Sequence, residues 1–140
     1  ALSAHPRIVG LKDATPEIAR TTRIRAACGL AILSGDDHHT LPMMALGAVG
    51  VISVIANVVP KEVRDMTHAA LGGSWDRARD LHDRLFPLAQ AAFVEPNPVP
   101  VKGMMRMLGW LNGELRPPLV PLAQESEGTV REALRGAGLL

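Results

Sequence analysis

The run of residues 7–15 restricts the fold more tightly than any other stretch of this 140-residue sequence. Its Ile8, Val9, Gly10 and Leu11 are apolar or small at every position, where a strand with one wet face would alternate. Strands of that kind belong to parallel sheets covered on both faces, such as a barrel wall between its interior and a ring of helices. A side-chain period of two sets Ile8, Gly10 and Lys12 on one face and Val9 and Leu11 on the other. The strand therefore ends in a single lysine, aimed where Gly10 leaves room. Thr15, Pro16 and Glu17 then open a helix.

An ammonium at such a place needs a reason, because an unpaired buried charge is expensive and lysine is among the least buried residues. One reading is packing alone, with the stem along apolar surface and the charge snorkelling into water. The other is carbonyl chemistry. A lysine that attacks a ketone must be neutral, and at an ordinary pKa of about 10.4 well under 0.1 % of it is free amine at pH 7. Desolvation that lowered this pKa by about three units would supply the amine. The residues of this stretch leave both readings open.

The same strand-then-polar-loop punctuation recurs twice. Leu30, Ala31, Ile32 and Leu33 form a second short apolar strand, followed by the cluster Ser34, Gly35, Asp36, Asp37, His38, His39 and Thr40. Residues 49–55, rich in β-branched side chains, are predicted as a third strand, with Gly50 allowing close backbone approach. Residues 15–28 are predicted helical, with Thr15 as N-cap, Pro16 in the first turn, Ile18, Thr22 and Arg25 or Ala26 at helical spacing, and Gly29 as the stop. A second helix carries Leu41, Met43, Met44 and Leu46 up to Gly47. Alternating strands and helices indicate an α/β chain with a parallel sheet, whose post-strand loops share one end. Lys12 and the polar cluster at 34–40 should be neighbours there.

Two acids followed by two histidines invite a metal reading. Consecutive residues point in different directions, however, whereas ligands from one helix normally sit three or four apart, so the spacing argues against a metal site. A helix N-terminus, where acidic side chains meet the positive end of the dipole, accounts for the same residues.

From residue 61 the pattern turns helical throughout. Residues 61–71 place Val63, Met66, Thr67 and Ala70 on one stripe, and Gly72 and Gly73 end it. Ser74 is set to cap a long helix in which Trp75, Ala78, Leu81, His82, Leu85, Leu88, Ala89 and Ala92 recur three and four apart, opposite Asp76, Arg77, Asp80 and Arg84. Asp80 and Arg84 can pair across one turn. His82, on the apolar stripe, reads as a packed residue rather than a ligand. Residues 95–100 hold three prolines and form a stiff connector. Residues 101–111 are helical again, with Met104, Met105, Met107 and Leu108 as core filler and Lys102 expected in a structural salt bridge. A second extended segment at 116–121 leads to a last helix over 126–140, with Val130, Leu134 and Ala137 as its apolar line.

Composition narrows the function classes. A formal net charge of +1 gives no electrostatic case for nucleic acid or an anionic membrane, and no apolar run approaches the roughly 18 residues of a span. Cys28 is the only cysteine, so no intrachain disulfide forms; a reducing compartment such as the cytoplasm suits it, and it is expected as a small buried hydrophobe. A length of 140 residues is enough for one core but short of the roughly 250 of a complete (β/α)8 barrel.

Four motifs, taken in order, carry a resemblance: Gly10-Leu11-Lys12-Asp13-Ala14-Thr15, Leu33-Ser34-Gly35-Asp36-Asp37, Gly50-Val51-Ile52-Ser53-Val54, and the run from Phe93-Val94-Glu95-Pro96 through Asn97-Pro98-Val99-Pro100-Val101-Lys102. Together, over residues 8–140, they resemble the dihydrodipicolinate synthase family of pyruvate-dependent aldolases. The first motif is shared with sister aldolases, and the Asn97-Pro98-Val99-Pro100-Val101-Lys102 run favours this member.

The resemblance implies the carboxyl-terminal part of a TIM barrel, an α/β fold with about three strands beginning at the sixth of eight, followed by a C-terminal helical region. Residues 1–60 would be barrel strands and helices, and residues 61–140 the last barrel helix plus a helical domain. It implies that Lys12 forms a Schiff base with pyruvate, that Ile52 contributes to the pyruvate pocket, and that Gly35 and Asp36 line the substrate site. The complete enzyme would be a lyase joining pyruvate to aspartate 4-semialdehyde in lysine (diaminopimelate) biosynthesis. It would work in the cytoplasm as a homotetramer of tight dimers, without external cofactor or metal. The family's proton relay uses tyrosines and a threonine from the first half of the barrel. This chain has no tyrosine, so it is expected to be inactive alone. His38 and His39 depart from the small residues usual in the family. The alternatives are a sister aldolase, of the N-acetylneuraminate lyase or keto-deoxy sugar acid kind, and a non-catalytic half-barrel interaction module.

Overall fold

The computed structural model describes residues 2–140. Three strands, β1 (Gly10–Asp13), β2 (Ala31–Ser34) and β3 (Gly50–Val51), form one parallel sheet in the order β1-β2-β3. The helices α1 (Ala19–Ala27) and α2 (Thr40–Ala45) make the two crossovers. The register sets Lys12 beside Leu33 and Ser34 beside Val51, so the loops leaving the three strands open at one end. Four helices follow: α3 (Pro60–Leu71), α4 (Trp75–Ala91), α5 (Val99–Met107) and α6 (Gln124–Gly136).

The helical pattern translates directly into burial. α3 begins with Pro60, whose fixed φ and missing N–H suit a first turn, and buries Val63, Met66, Thr67 and Ala70, the predicted stripe. Leu85, Leu88 and Ala89 of α4, Met104 of α5 and Val130 and Leu134 of α6 complete one core with it. A smaller core under the sheet gathers Ile32, Leu41, Met43 and Met44 against Ala70 and Ala78. Gly47 ends α2 at φ +99°, a conformation that side chains other than glycine's rarely adopt.

Several expectations are corrected. β1 starts two residues late and takes in Lys12; it is an edge of the sheet, and it is not covered on both faces, since Lys12 within it and Val9 just before it, 77 % exposed, both stand in solvent. α1 starts at Ala19 instead of Thr15, since the Thr15 N–H and Oγ1 both donate to Asp13 Oδ1 at 3.1 and 2.9 Å. Its packed side is Ile18, Thr21 and Ile24. β3 is only two residues long, and Ile55 is buried in a 3-10 turn, Ile55–Asn57. Ser74 stands at the N-cap of α4 without a capping side-chain bond, and Asp76 pairs with Arg79, at 2.9 Å, where Asp80 and Arg84 were the expected pair.

The prolines are gentler than expected. α5 starts at Val99 and holds Pro100 in its first turn, where no intrahelical donor is needed, and it ends at Met107. α6 runs from Gln124 and stops at Gly136, leaving Ala137 exposed. Cys28 is half-buried, its thiol 3.5 Å from the Ile24 carbonyl. Among the described residues no helix is long and apolar enough to cross a membrane.

Candidate active site at the strand ends

Lys12 is the third residue of β1, and its side chain lies across the loop that leaves β2. A Cβ placed on Gly35 would stand 2.7 Å from Lys12 Cε, 3.0 Å from its Cγ and 2.7 Å from Ala14 Cβ. The residue that makes room for the lysine is therefore Gly35. Gly10, the expected one, faces the Ala31 carbonyl. Strand side chains lean along the strand direction, which carries Lys12 past its own sheet row and over the neighbouring loop. The Gly35 N–H donates to the Asp13 carbonyl at 2.7 Å and holds that loop in place. Lys12 remains open to solvent.

Asp13 alternates to the opposite face and is buried. Besides the Thr15 bonds, its Oδ2 lies 3.1 Å from Arg20 Nε, so the carboxylate is committed to the start of α1 and leaves the lysine alone.

The loop after β2 is knitted by short polar contacts. Ser34 Oγ donates to the Asp36 carbonyl at 2.7 Å, and the Asp36 N–H points back to the same hydroxyl at 3.2 Å. Asp36 Oδ1 accepts the His38 N–H at 3.0 Å and meets His38 Nδ1 at 2.7 Å. Asp36 thus caps the 3-10 turn Asp37–His39 that leads into α2. The His38 ring packs on Phe86 and Phe93, with centroids 5.7 and 5.4 Å away. Asp37 has a different task. It is buried, and its Oδ2 accepts the N–H groups of Val54 and Ile55 at 2.8 and 3.2 Å.

These bonds bring the third strand's loop to the site. The Ile52 N–H donates to the Ser34 carbonyl at 2.8 Å, and the Ile52 side chain is 48 % exposed on the same end of the sheet. Lys12, Gly35, Asp36 and Ile52, named from the sequence, are thus gathered at one end of the strands. Lys102 sits apart in α5, where its Nζ donates to the Glu114 carbonyl at 2.6 Å, a backbone partner in place of the expected salt bridge. His82 is half-buried beside Phe86, at 5.7 Å; burial is the main cause that lowers its pKa, opposed by the Asp83 charge and helped by His38.

Sequence reasoning missed Asp13 and Asp37 as the residues that hold this end together. Asp13 ends a strand and Asp37 stands three residues beyond one, which is a signal of a kind. The partners of Asp37 lie 17 and 18 residues away and leave no trace in local spacing.

The model of the Dihydrodipicolinate synthetase family matches residues 1–137. The 4-hydroxy-tetrahydrodipicolinate synthase of Methanothrix thermoacetophila is 48 % identical over 136 residues, covering 95 % of this chain and 46 % of that protein. The enzyme of the same name from Methanococcus vannielii is 44 % identical, covering 97 % of this chain and 47 % of that one. The chain spans about half the length of the curated relatives it matches. Among solved structures, dihydrodipicolinate synthase from Aquifex aeolicus superposes with a TM-score of 0.94 at 44 % identity, over 99 % of this chain and 48 % of that one. The chloride-inhibited dihydrodipicolinate synthase from Acinetobacter baumannii, complexed with pyruvate, superposes with a TM-score of 0.94 at 36 % identity over the same shares. The three-stranded parallel sheet and its helices match the carboxyl-terminal part of the TIM barrel in such structures.

Proposed function

Because the chain belongs to the Dihydrodipicolinate synthetase family, we propose that it carries the Schiff-base half of a lyase that joins pyruvate to aspartate 4-semialdehyde in lysine biosynthesis. The observation that carries this reading is the Lys12 side chain lying over Gly35, at the end of the sheet where the Asp36 and Ile52 loops meet. Residues 1–60 then act as the last strands and helices of a barrel, and residues 61–140 as its closing helix and a helical domain.

In this reading the neutral Lys12 amine adds to the pyruvate ketone and water leaves, giving a protonated imine. The imine draws electrons from the methyl group, which loses a proton to give the enamine. The enamine carbon attacks the aldehyde, and hydrolysis or cyclisation of the product frees Lys12. The imine itself is the electron sink. Ile52 flanks pyruvate, while Gly35 keeps the approach to the lysine clear and Asp36 faces the acceptor. The acid and base groups come from the other half of the barrel, since this chain has no tyrosine. In the complete protein two tight dimers would pair into a tetramer.

Borohydride reduction with pyruvate tests the assignment. The peptide holding Lys12 should gain the mass of reduced pyruvate. Labelling at Lys61 or Lys102 instead, or none, would overturn it. A kcat/KM that favours cleavage of sialic or keto-deoxy sugar acids would move the protein to a sister aldolase.

A further inference from the structure

His38 makes two contacts with a single carboxylate oxygen. Its backbone N–H already caps the turn by donating to Asp36 Oδ1 at 3.0 Å, and its ring Nδ1 reaches the same oxygen at 2.7 Å. An ionised carboxylate only accepts, so the proton of that second bond sits on Nδ1. The cap alone does not require the ring. The ring is also braced from outside the loop, by Phe86 within α4 and Phe93 just beyond it. Both donors take Oδ1, and the other oxygen accepts no hydrogen bond: the buried His39 Nδ1, itself without a hydrogen-bond partner, stands 3.7 Å from it, within ion-pair distance only. Asp36 is therefore held in one orientation, with one oxygen saturated and the other open.

We propose that His38 is a positioning residue that turns Asp36 Oδ2 toward the ammonium group of the aldehyde acceptor. The inference rests on the proposed function, in which Asp36 faces that acceptor. A carboxylate that is free to rotate receives an ammonium less well than one already fixed, because the ordering then falls on the binding step. α4 takes part through Phe86, and the segment just after it through Phe93, which together tie the acceptor side of the site to the helical region.

The test uses the complete protein and steady-state kinetics with two acceptors, aspartate 4-semialdehyde and succinic semialdehyde, which lacks the amine. For His38→Ala the KM for the amino-aldehyde should rise about tenfold, in the range of one lost charge-assisted hydrogen bond. The KM for pyruvate, borohydride trapping at Lys12 and the parameters for succinic semialdehyde should stay within about twofold of the unsubstituted protein. His38→Asn should restore most of the loss, because its amide nitrogen stands where Nδ1 stood. His38→Gln should not, since its amide stands where Nε2 did, and it reads the same question if the alanine variant fails to fold. Equal losses with both acceptors, or an unchanged amino-aldehyde KM in a protein still trapped at Lys12, would overturn the role of His38 alone. Failure of the unsubstituted protein to be trapped would remove the lyase reading and this inference with it.

Discussion

The sheet end of the molecule and its helical end bury their apolar residues by different means. In α3, α4 and α6 the apolar positions recur every three or four residues, and most of them are withdrawn from water, although Trp75, expected on the α4 stripe, stays exposed at the start of that helix: Met66, Leu88, Val130 and Leu134 close on one another within the chain. In the sheet the strands are two to four residues long, and β1 keeps one edge unpaired. Val9 and Ile52, apolar residues that a parallel barrel wall would cover, stand open. A helix satisfies its own backbone and needs a partner only for its stripe, whereas a strand needs neighbours for both its backbone and its faces. The proposed chemistry sits on the part that depends on neighbours.

Substitutions at six positions would break or sharpen this contrast. The largest effect belongs to Lys12→Arg, which keeps a charge yet cannot form an imine; condensation should fall to background while the melting temperature holds. Residual turnover of the original size would detach the chemistry from the strand end. Leu88→Ala, in the helical core, should cost about 2–5 kcal/mol in urea unfolding. Val9→Ala in the isolated 140-residue chain should stay within about 0.5 kcal/mol, and a larger loss there would mean that the edge of β1 is covered.

Gly35→Ala places a methyl group 2.7 Å from Lys12 Cε and Ala14 Cβ. Stem and loop must both shift, and a misplacement of about 1 Å can lower the rate of borohydride trapping about 10²-fold. A normal rate would show that the lysine does not lie over that loop during the reaction. Asp37→Ala leaves the Val54 and Ile55 amides without their acceptor. The expected loss is about 1–3 kcal/mol, with Asp37→Asn milder because it keeps an oxygen.

The smallest effect is a change in pH dependence. His82 has its pKa lowered by burial, so the unfolded chain takes up a proton first as the pH falls. Stability unaffected above the unfolded value of about 6.5 should decline below it, until the folded protein also protonates. His82→Leu should flatten the melting temperature between pH 7 and 5. A parallel fall in both proteins would mean that other groups govern acid stability.

Much of this was legible before any coordinates. The stripe of α3 is legible residue by residue, because in a helix the periodicity is the geometry. The order of strands and helices, the common end of their loops and the meeting of Lys12 with the loop at Gly35 follow from parallel connectivity, which alternation along the chain encodes. Strand and helix limits were less legible. Thr15 carries every mark of an N-cap, yet the buried Asp13 two residues earlier claims both of its donors, and the helix starts four residues later. What only the tertiary structure decided is which small residue makes room for the lysine and how two adjacent acids divide their work. Gly35 reaches Lys12 from the loop after the next strand, and Asp37 reaches amides 17 and 18 residues ahead while Asp36 holds His38 two residues on. The pairings of Gly35 and Asp37 join residues far apart in sequence through space, and local propensity carries no term for them.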